Sequence, residues 1–510
     1  MSLFSLIESR LREKPDQIAI ECPDRTGPSA VLSFADLAAA AGRAAGVLVE
    51  AGLNRGDRVV VQTEKSPETL AIYLACLRNG FVFVPVNTAY RAEETAYIME
   101  DAKPAFCVAD PARLTSLSEI TSNLGVPVMS LDSAGQGAFA DAAAGLTTVP
   151  SPERCQDEDL AAILYTSGTT GRPKGAMLSH RNLASNGMAL TEAWRFTGED
   201  VLLHALPIFH VHGLFIACSC ALLAGARMIW LPKFSVGDVL AHLSRSTVFM
   251  GVPTYYVRLL ERTDFTAASA AHMRLFTSGS APLLSETFDA FTARTGMAIV
   301  ERYGMTETGI NTSNPYDGER RAGTVGFPLA GVEIRIADDE DTPLPPDAVG
   351  GLQVRGPNVF SGYWRRPERS TAEFAKGGWF KTGDVARVDT GGYVHLVGRS
   401  KDLIISGGYN VYPKEIEILI NKLRGVEEAA VIGVPHADFG EVAVAIVTPQ
   451  PGAKLDPDTI VAEVREKLAN YKAPKKAYIV NSLPRNVMGK VQKNLLRETY
   501  KNSFQEEAAR

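Results

Sequence analysis

Two rhythms of apolar residues alternate along the first half of the chain. Stretches such as FADLAAAAGRAAGVLVEAG (34–52) and PETLAIYLACLRNG (67–80) carry apolar residues at helical spacing. Each is followed by a short run of β-formers, DRVVVQT (57–63) and FVFVPVN (81–87). Such alternation predicts parallel sheets layered with helices. From about residue 330 to 398 the spacing shortens to VEIRIAD, GGLQVRG and GYVHLVG, short strands divided by turns; a largely β segment, a distorted barrel, is expected there. Beyond GRSKDLIISGGYN, the pattern PKEIEILINKL, EAAVIGVP, EVAVAIVT and a helix over 458–468 predicts a small α+β domain. The expected fold class is α/β: a large N-terminal domain of layered α/β sheets plus a distorted β-barrel over 1–400, and a small α+β C-terminal domain over 401–510.

Length and composition narrow the classes of function. A chain of 510 residues exceeds what one core sustains, so two or more domains follow. The net charge is -6 and the basic residues are scattered, which argues against nucleic acid and against an anionic membrane surface. The six cysteines, Cys22, Cys76, Cys107, Cys155, Cys218 and Cys220, lie mostly in apolar segments without a C-x-x-C pair, and read as core packing in a reducing cytoplasm. The N-terminus, MSLFSLIESRLREKPDQ, patterns as an amphipathic helix with no cleavable apolar core. The longest uncharged apolar run, Leu214 to Ala226, falls short of the roughly 20 residues that a membrane span needs. Cytoplasmic location without a spanning helix is expected.

The chemistry concentrates in a few stretches. YTSGTTGRPKG, Tyr165 to Gly175, follows the strand-like LAAIL and combines three glycines, four small hydroxyls and two cations. Glycines let backbone amides wrap a ligand, and the hydroxyls and cations complete a concave site for an anion such as phosphate. The spacing differs from the G-x-x-x-x-G-K-[ST] loop, because Pro173 stands where its second glycine belongs. GSAPL (279–283) and ERYGMTET (301–308) each follow a strand-like run, as the walls of a ligand crevice at strand ends do. In TGD (382–384) an aspartate follows a turn glycine, where it either accepts ribose hydroxyls or serves only the turn.

These motifs, with GRSKDLIISGGYNVYP and PRNVMGK, occur in the order found in the acyl-adenylate-forming (AMP-binding) superfamily of acyl-CoA synthetases, which the chain resembles over nearly its whole length. LHALPIFHVHGLF and ERYGMTETGINTSNPYDGERRAGTVG look most like its malonyl-CoA synthetase branch. The resemblance implies ATP, Mg²⁺ and coenzyme A: a carboxylate attacks the α-phosphate of ATP, and the thiol of coenzyme A then displaces AMP. It implies that Thr166, Ser167, Gly168, Thr169, Thr170, Gly171 and Lys174 hold the β- and γ-phosphates. Thr306 would bind phosphate and Glu307 the metal ion. Gly279, Ser280, Ala281 and Tyr303 would enclose the adenine, with Glu301, Arg302 and Gly304 also binding the nucleotide, and Asp384 and Arg399 would grip the ribose. Lys490 matches the adenylation lysine, which offsets charge as two anions approach. Lys401 takes the hinge position, making the C-terminal domain mobile, and Ser406, Gly407 and Gly408 would line the coenzyme A tunnel.

For the acid, Arg258 lies one helical turn after Thr254 in MGVPTYYVRLLERT. Either it receives a second carboxylate in a bidentate contact, or it forms a surface salt bridge with Glu261. His210, Val211, Ser280 and Ile310 are expected beside the substrate. Malonate, or methylmalonate, is the leading acid. A short or medium monocarboxylic acid and the loading of a carrier protein remain as alternatives. The partners expected are a small acid and coenzyme A, with a lysine-modifying enzyme at Lys490 as an open further one.

Overall fold

The structure, a computed structural model of the full chain, describes residues 2–166, 173–406, 409–436, 439–486 and 489–504. The chain divides into two compact units, one of residues 1–333 and 354–380, the other of residues 334–353 and 381–510.

The alternation read from the sequence builds two sheets in the first unit. One has six strands in the order Val128–Ser130, Phe106–Ala109, Arg58–Gln62, Val82–Pro85, Leu160–Thr166, Lys174–Ser179. Its first five strands run parallel and the last turns back antiparallel. The other has nine, in the order Phe327–Pro328, Gly309–Ser313, Val300–Met305, Leu275–Ser278, Val248–Gly251, Val201–His204, Arg227–Trp230, Ile18–Glu21, Val31–Ser33. Its middle is parallel, with antiparallel strands at both ends. The strand Ile18–Glu21 therefore lies beside Arg227–Trp230, Ile20 opposite Met228.

Local chemistry sets the ends of the covering helices. Ser33 and Asp36 exchange side-chain and backbone hydrogen bonds in a capping box that starts helix Phe34–Glu50. Helix Pro67–Asn79 starts with the Ser66 cap and a proline in its first turn, and stops at Gly80, whose φ of 71° suits the left-handed C-cap. Beneath the strand ends of the nine-stranded sheet an aromatic cluster of Phe249, Tyr256, Phe265, Phe276 and Phe291 is buried, with Phe276 and Phe291 edge to face at 4.9 Å between centroids. The Tyr256 hydroxyl donates to the Thr277 carbonyl, tying helix Pro253–Leu260 to strand Leu275–Ser278.

The segment expected to be largely β forms five strands of one sheet, Glu333–Ala337, Gly350–Arg355, Phe374–Ala375, Trp379–Val388 and Val394–Arg399. The C-terminal α+β part is a second five-stranded sheet dominated by the antiparallel pair Val426–His436 and Gly440–Pro449, with helices Pro413–Asn421, Pro457–Lys467 and Lys493–Tyr500. Among the described residues no helix is long and apolar enough to cross a membrane.

Candidate active site

The glycine- and hydroxyl-rich stretch joins two antiparallel strands, Thr166 ending one and Lys174 opening the next as its cross-strand partner. Ser167, Gly168, Thr169, Thr170 and Gly171 lie outside the described residues, as do Gly407 and Gly408. Lys174 Nζ stands 3.1 Å from Glu373 Oε1 and 4.4 Å from the centroid of the Tyr363 ring. The Tyr363 hydroxyl is in turn 3.0 Å from Glu307 Oε1 and 2.8 Å from Glu373 Oε2. The proposed phosphate lysine and the proposed metal carboxylate thus meet through two residues that the sequence reading did not single out. Burial and both carboxylates push the Tyr363 phenol well above its ordinary pKa. Thr306 is half-buried beside Glu307.

Strands Leu275–Ser278 and Val300–Met305 are parallel neighbours, Ser278 opposite Glu301, so GSAPL and ERYGMTET leave adjacent strand ends. Glu301 Oε1 accepts from the Leu283 backbone at 3.1 Å, which fixes the GSAPL turn. Ser280 adopts φ of 70°, a left-handed conformation that a serine holds at a cost. Its hydroxyl lies 3.3 Å from His212 Nδ1. Tyr303 is buried. Gly304 allows the antiparallel strand to close in: a Cβ there would stand 1.9 Å from the Gly309 carbonyl oxygen.

Arg302 is the outlier. It is 4 % exposed, and its Nε and Nη2 have no hydrogen-bond partner among the described residues. Burial lowers its pKa to about 10, despite the usual insistence of a guanidinium on its charge. Arg302 also lowers His212, whose ring is buried, held neutral by desolvation, and without a hydrogen-bond partner at Nε2 among the described residues. A buried arginine short of partners is a place for an anion. Arg258 sits differently: helix Pro253–Leu260 leaves it exposed, so burial does not oblige it to find an anionic partner.

His210 accepts from the His212 backbone N–H through Nδ1 at 3.2 Å, just before the π-helix His212–Cys218. Such helices favour functional sites. Val211 lines a small cavity with Asn186, Phe215 and Gly309. Asn186 brackets Ile310, accepting from its N–H at 3.0 Å and donating to its carbonyl at 2.7 Å. A buried pair supports the π-helix from behind: Lys65 Nζ lies 2.7 Å from His204 Nδ1, and His204 Nε2 lies 2.9 Å from the Gly213 carbonyl.

In the second unit, Arg399 Nε pairs with Asp384 Oδ1 at 2.9 Å across the antiparallel strands Trp379–Val388 and Val394–Arg399. Lys401 is exposed in a short 3₁₀ turn, Ser400–Asp402, and Ser406 is buried at the end of strand Ile404–Ser406. Lys490 is exposed on a tight turn: its N–H donates to Asn486 Oδ1 at 3.0 Å, and Asn486 N–H donates to its carbonyl at 2.9 Å. The glycine before it takes φ of 74°, which the turn requires.

A family of AMP-binding enzymes matches residues 7–364, and the C-terminal domain of the same enzymes matches residues 415–490. The chain belongs to the AMP-binding enzymes. It is 36% identical over 497 residues to the feruloyl-CoA synthase of Amycolatopsis sp, covering 96% of this chain and 97% of that one. It is 35% identical over 484 residues to the malonate–CoA ligase of Arabidopsis thaliana, covering 88% and 79% respectively. The crystal structure of ATP-bound MatB from Rhodopseudomonas palustris superposes with a TM-score of 0.96 at 51% identity, covering 99% of this chain and 100% of that chain. The AMP-binding protein described here is an ATP-dependent, AMP-forming acid–CoA ligase, with ATP, an acid and coenzyme A as substrates.

Proposed function

We propose that the acid is malonate, with methylmalonate as its nearest variant, and that the buried, under-partnered guanidinium of Arg302 receives the carboxylate that does not react. The observation that carries this reading is the exposure of only 4 % at Arg302 together with an Nε and Nη2 that have no hydrogen-bond partner among the described residues. A dicarboxylic acid supplies the anion that a monocarboxylic acid lacks, and a planar guanidinium takes it bidentately. Arg258, on the exposed face of its helix, adds a second cation for the same end of the acid. In this reading Val211 and Ile310 contact the α-carbon, and His210 and Ser280 the neighbouring wall. The similarity to a malonate–CoA ligase supports the choice, while the equal similarity to a feruloyl-CoA synthase makes the test necessary.

In the first half-reaction the reacting carboxylate attacks the α-phosphate and pyrophosphate leaves; in the second the thiolate of coenzyme A attacks the acyl carbonyl and AMP leaves. Both partners of the first step are anions, so positioning and charge neutralisation supply the acceleration. Thr166, the residues 167–171, Lys174 and Thr306 hold the phosphates; Gly279, Ala281, Glu301, Tyr303 and Gly304 shape the adenine pocket; Asp384 and Arg399 hold the ribose. Magnesium fits the site, because the buried carboxylate of Glu307 is a hard oxygen donor, and when bound it neutralises phosphate charge. Lys490 neutralises the approaching carboxylate and α-phosphate. Rotation at Lys401, between domains of residues 1–400 and 401–510, then replaces it with Ser406, Gly407 and Gly408 at the thiol entrance. All six cysteines are free and buried, which suits a cytoplasmic enzyme.

The deciding experiment compares malonate with butyrate in Arg302→Met and Arg258→Ala. Malonate turnover should fall at least tenfold more than butyrate turnover in Arg302→Met, about 1.4 kcal/mol of selective binding, and in the same direction but less in Arg258→Ala. Equal losses for the two acids would leave no role for a carboxylate clamp.

A further inference from the structure

Lys174 is not simply a cation awaiting phosphate. Its ammonium already rests on Glu373, with only 11% of the Lys174 side chain and 25% of the Glu373 side chain exposed, so the contact is shielded from bulk water. Glu373 caps the C-terminal end of helix Pro367–Ala372, its N–H bonded back to Arg369, and its carboxylate also takes a 3.4 Å hydrogen bond from Arg369 Nε. The helix is anchored to the phosphate-loop strand. Tyr363 forms a bridge with Ala176, Trp364 N–H donates to the Gly175 carbonyl at 2.8 Å, and the Tyr363 N–H donates to Ser370 Oγ at 2.8 Å. The backbone therefore keeps Glu373 within reach of Lys174.

The phenol of Tyr363 sharpens the arrangement. It has one hydrogen and faces two carboxylates, Glu307 and Glu373, at 3.0 and 2.8 Å, so it satisfies one of them at a time. The shorter of the two contacts is to Glu373, which already holds Lys174 and Arg369, so the phenol adds a further donor to that carboxylate.

We propose that Glu373 is a positioning residue that holds Lys174 and competes with the polyphosphate of ATP for it. Phosphate binding then draws Lys174 away from Glu373, and departure of pyrophosphate returns it. The competition keeps nucleotide affinity below what the loop alone offers and favours release of pyrophosphate. This inference rests on the reading of Lys174 as a phosphate ligand.

The test is calorimetric titration of MgATP into the full-length protein without acid or coenzyme A, in a double-mutant cycle of Glu373→Gln and Lys174→Met. Glu373→Gln should bind MgATP about fivefold more tightly, the size of a shielded ion pair that no longer has to be broken, and Glu373→Ala should tighten it in the same direction. In the Lys174→Met background, Glu373→Gln should change nothing. Unchanged or weaker binding in Glu373→Gln and Glu373→Ala, with Lys174→Met still weakened, overturns the holding role and leaves the phosphate assignment standing. Unchanged binding in Lys174→Met alone overturns the phosphate assignment and the holding role with it.

Discussion

The guanidinium of Arg302 lies directly against the α-carbon of Gly279: a Cβ built there would stand 2.4 Å from Arg302 Cζ and 2.5 Å from its Nη1. The glycine is present because the arginine needs its space, and the arginine is too deeply buried to swing away. Gly279→Ala should therefore act mainly on the acid, through Arg302, although the glycine also borders the proposed adenine pocket. We expect the KM for malonate to rise about tenfold or more, the equivalent of displacing one bidentate contact, with the KM for ATP changed far less. Steady-state kinetics with each substrate varied in turn checks this, and a matched rise in both constants would assign the glycine to adenine packing instead.

Lys490 should matter to one half of the reaction only. Lys490→Ala is expected to lower acid-dependent pyrophosphate exchange by on the order of a hundredfold to a thousandfold, while thioester formation from supplied acyl-AMP and coenzyme A stays near the wild-type rate. Equal loss of both would contradict a reaction in two poses.

Removal of magnesium separates the same halves. Chelation with EDTA should stop adenylation and spare the thiol step. Glu307→Gln, which keeps the shape of the side chain and the bond from Tyr363, should raise the half-saturating Mg²⁺ concentration about tenfold. Titration of the exchange reaction with Mg²⁺ reads this directly.

Acid should destabilise the protein through its buried histidines. Burial holds the pKa of His180 down to about 4 from an ordinary 6.5, and both ring nitrogens lack hydrogen-bond partners among the described residues. The unfolded chain takes up this proton near 6.5 and the folded protein only near 4. Across that window the unfolded state binds more protons, so stability falls as pH falls, by up to about 1.4 kcal/mol per pH unit for this one group. His204 and His212, depressed by burial as well, steepen the trend. Urea unfolding at pH 7 and pH 5 should show a smaller difference for His180→Gln than for the wild type, and an unchanged difference would exclude His180 as a source.

The parallel layers were legible in the sequence because the helices there keep a helical apolar spacing, several of them with a serine cap, and each strand has its own apolar run. The phosphate stretch stood out in the sequence because glycines and hydroxyls follow a strand-like run there, and the structure describes the strands on either side of it. Arg302 was harder to read: the resemblance set it in the nucleotide site, and only the burial of every residue of Val300–Tyr303 makes its guanidinium conspicuous. Glu373 was invisible for a different reason. In PERSTAEF it reads as the charged end of a surface helix, and its meeting with Lys174, far away in sequence, depends on the backbone bridge at Tyr363. Arg258 shows the converse, since helical spacing placed it correctly on its helix without telling how open that face is.

The place of strand Ile18–Glu21 in the nine-stranded sheet carries a consequence for biogenesis. Its parallel neighbour, Arg227–Trp230, is some two hundred residues downstream, which at ordinary translation speeds is on the order of ten to forty seconds of synthesis. For that interval a nascent chain displays an apolar ribbon with one open side, a template for unwanted β pairing. Ribosome stalling or truncation ahead of Trp230 should accordingly yield fragments that depend on chaperones, whereas chains extended past it become able to bury that ribbon in their own sheet.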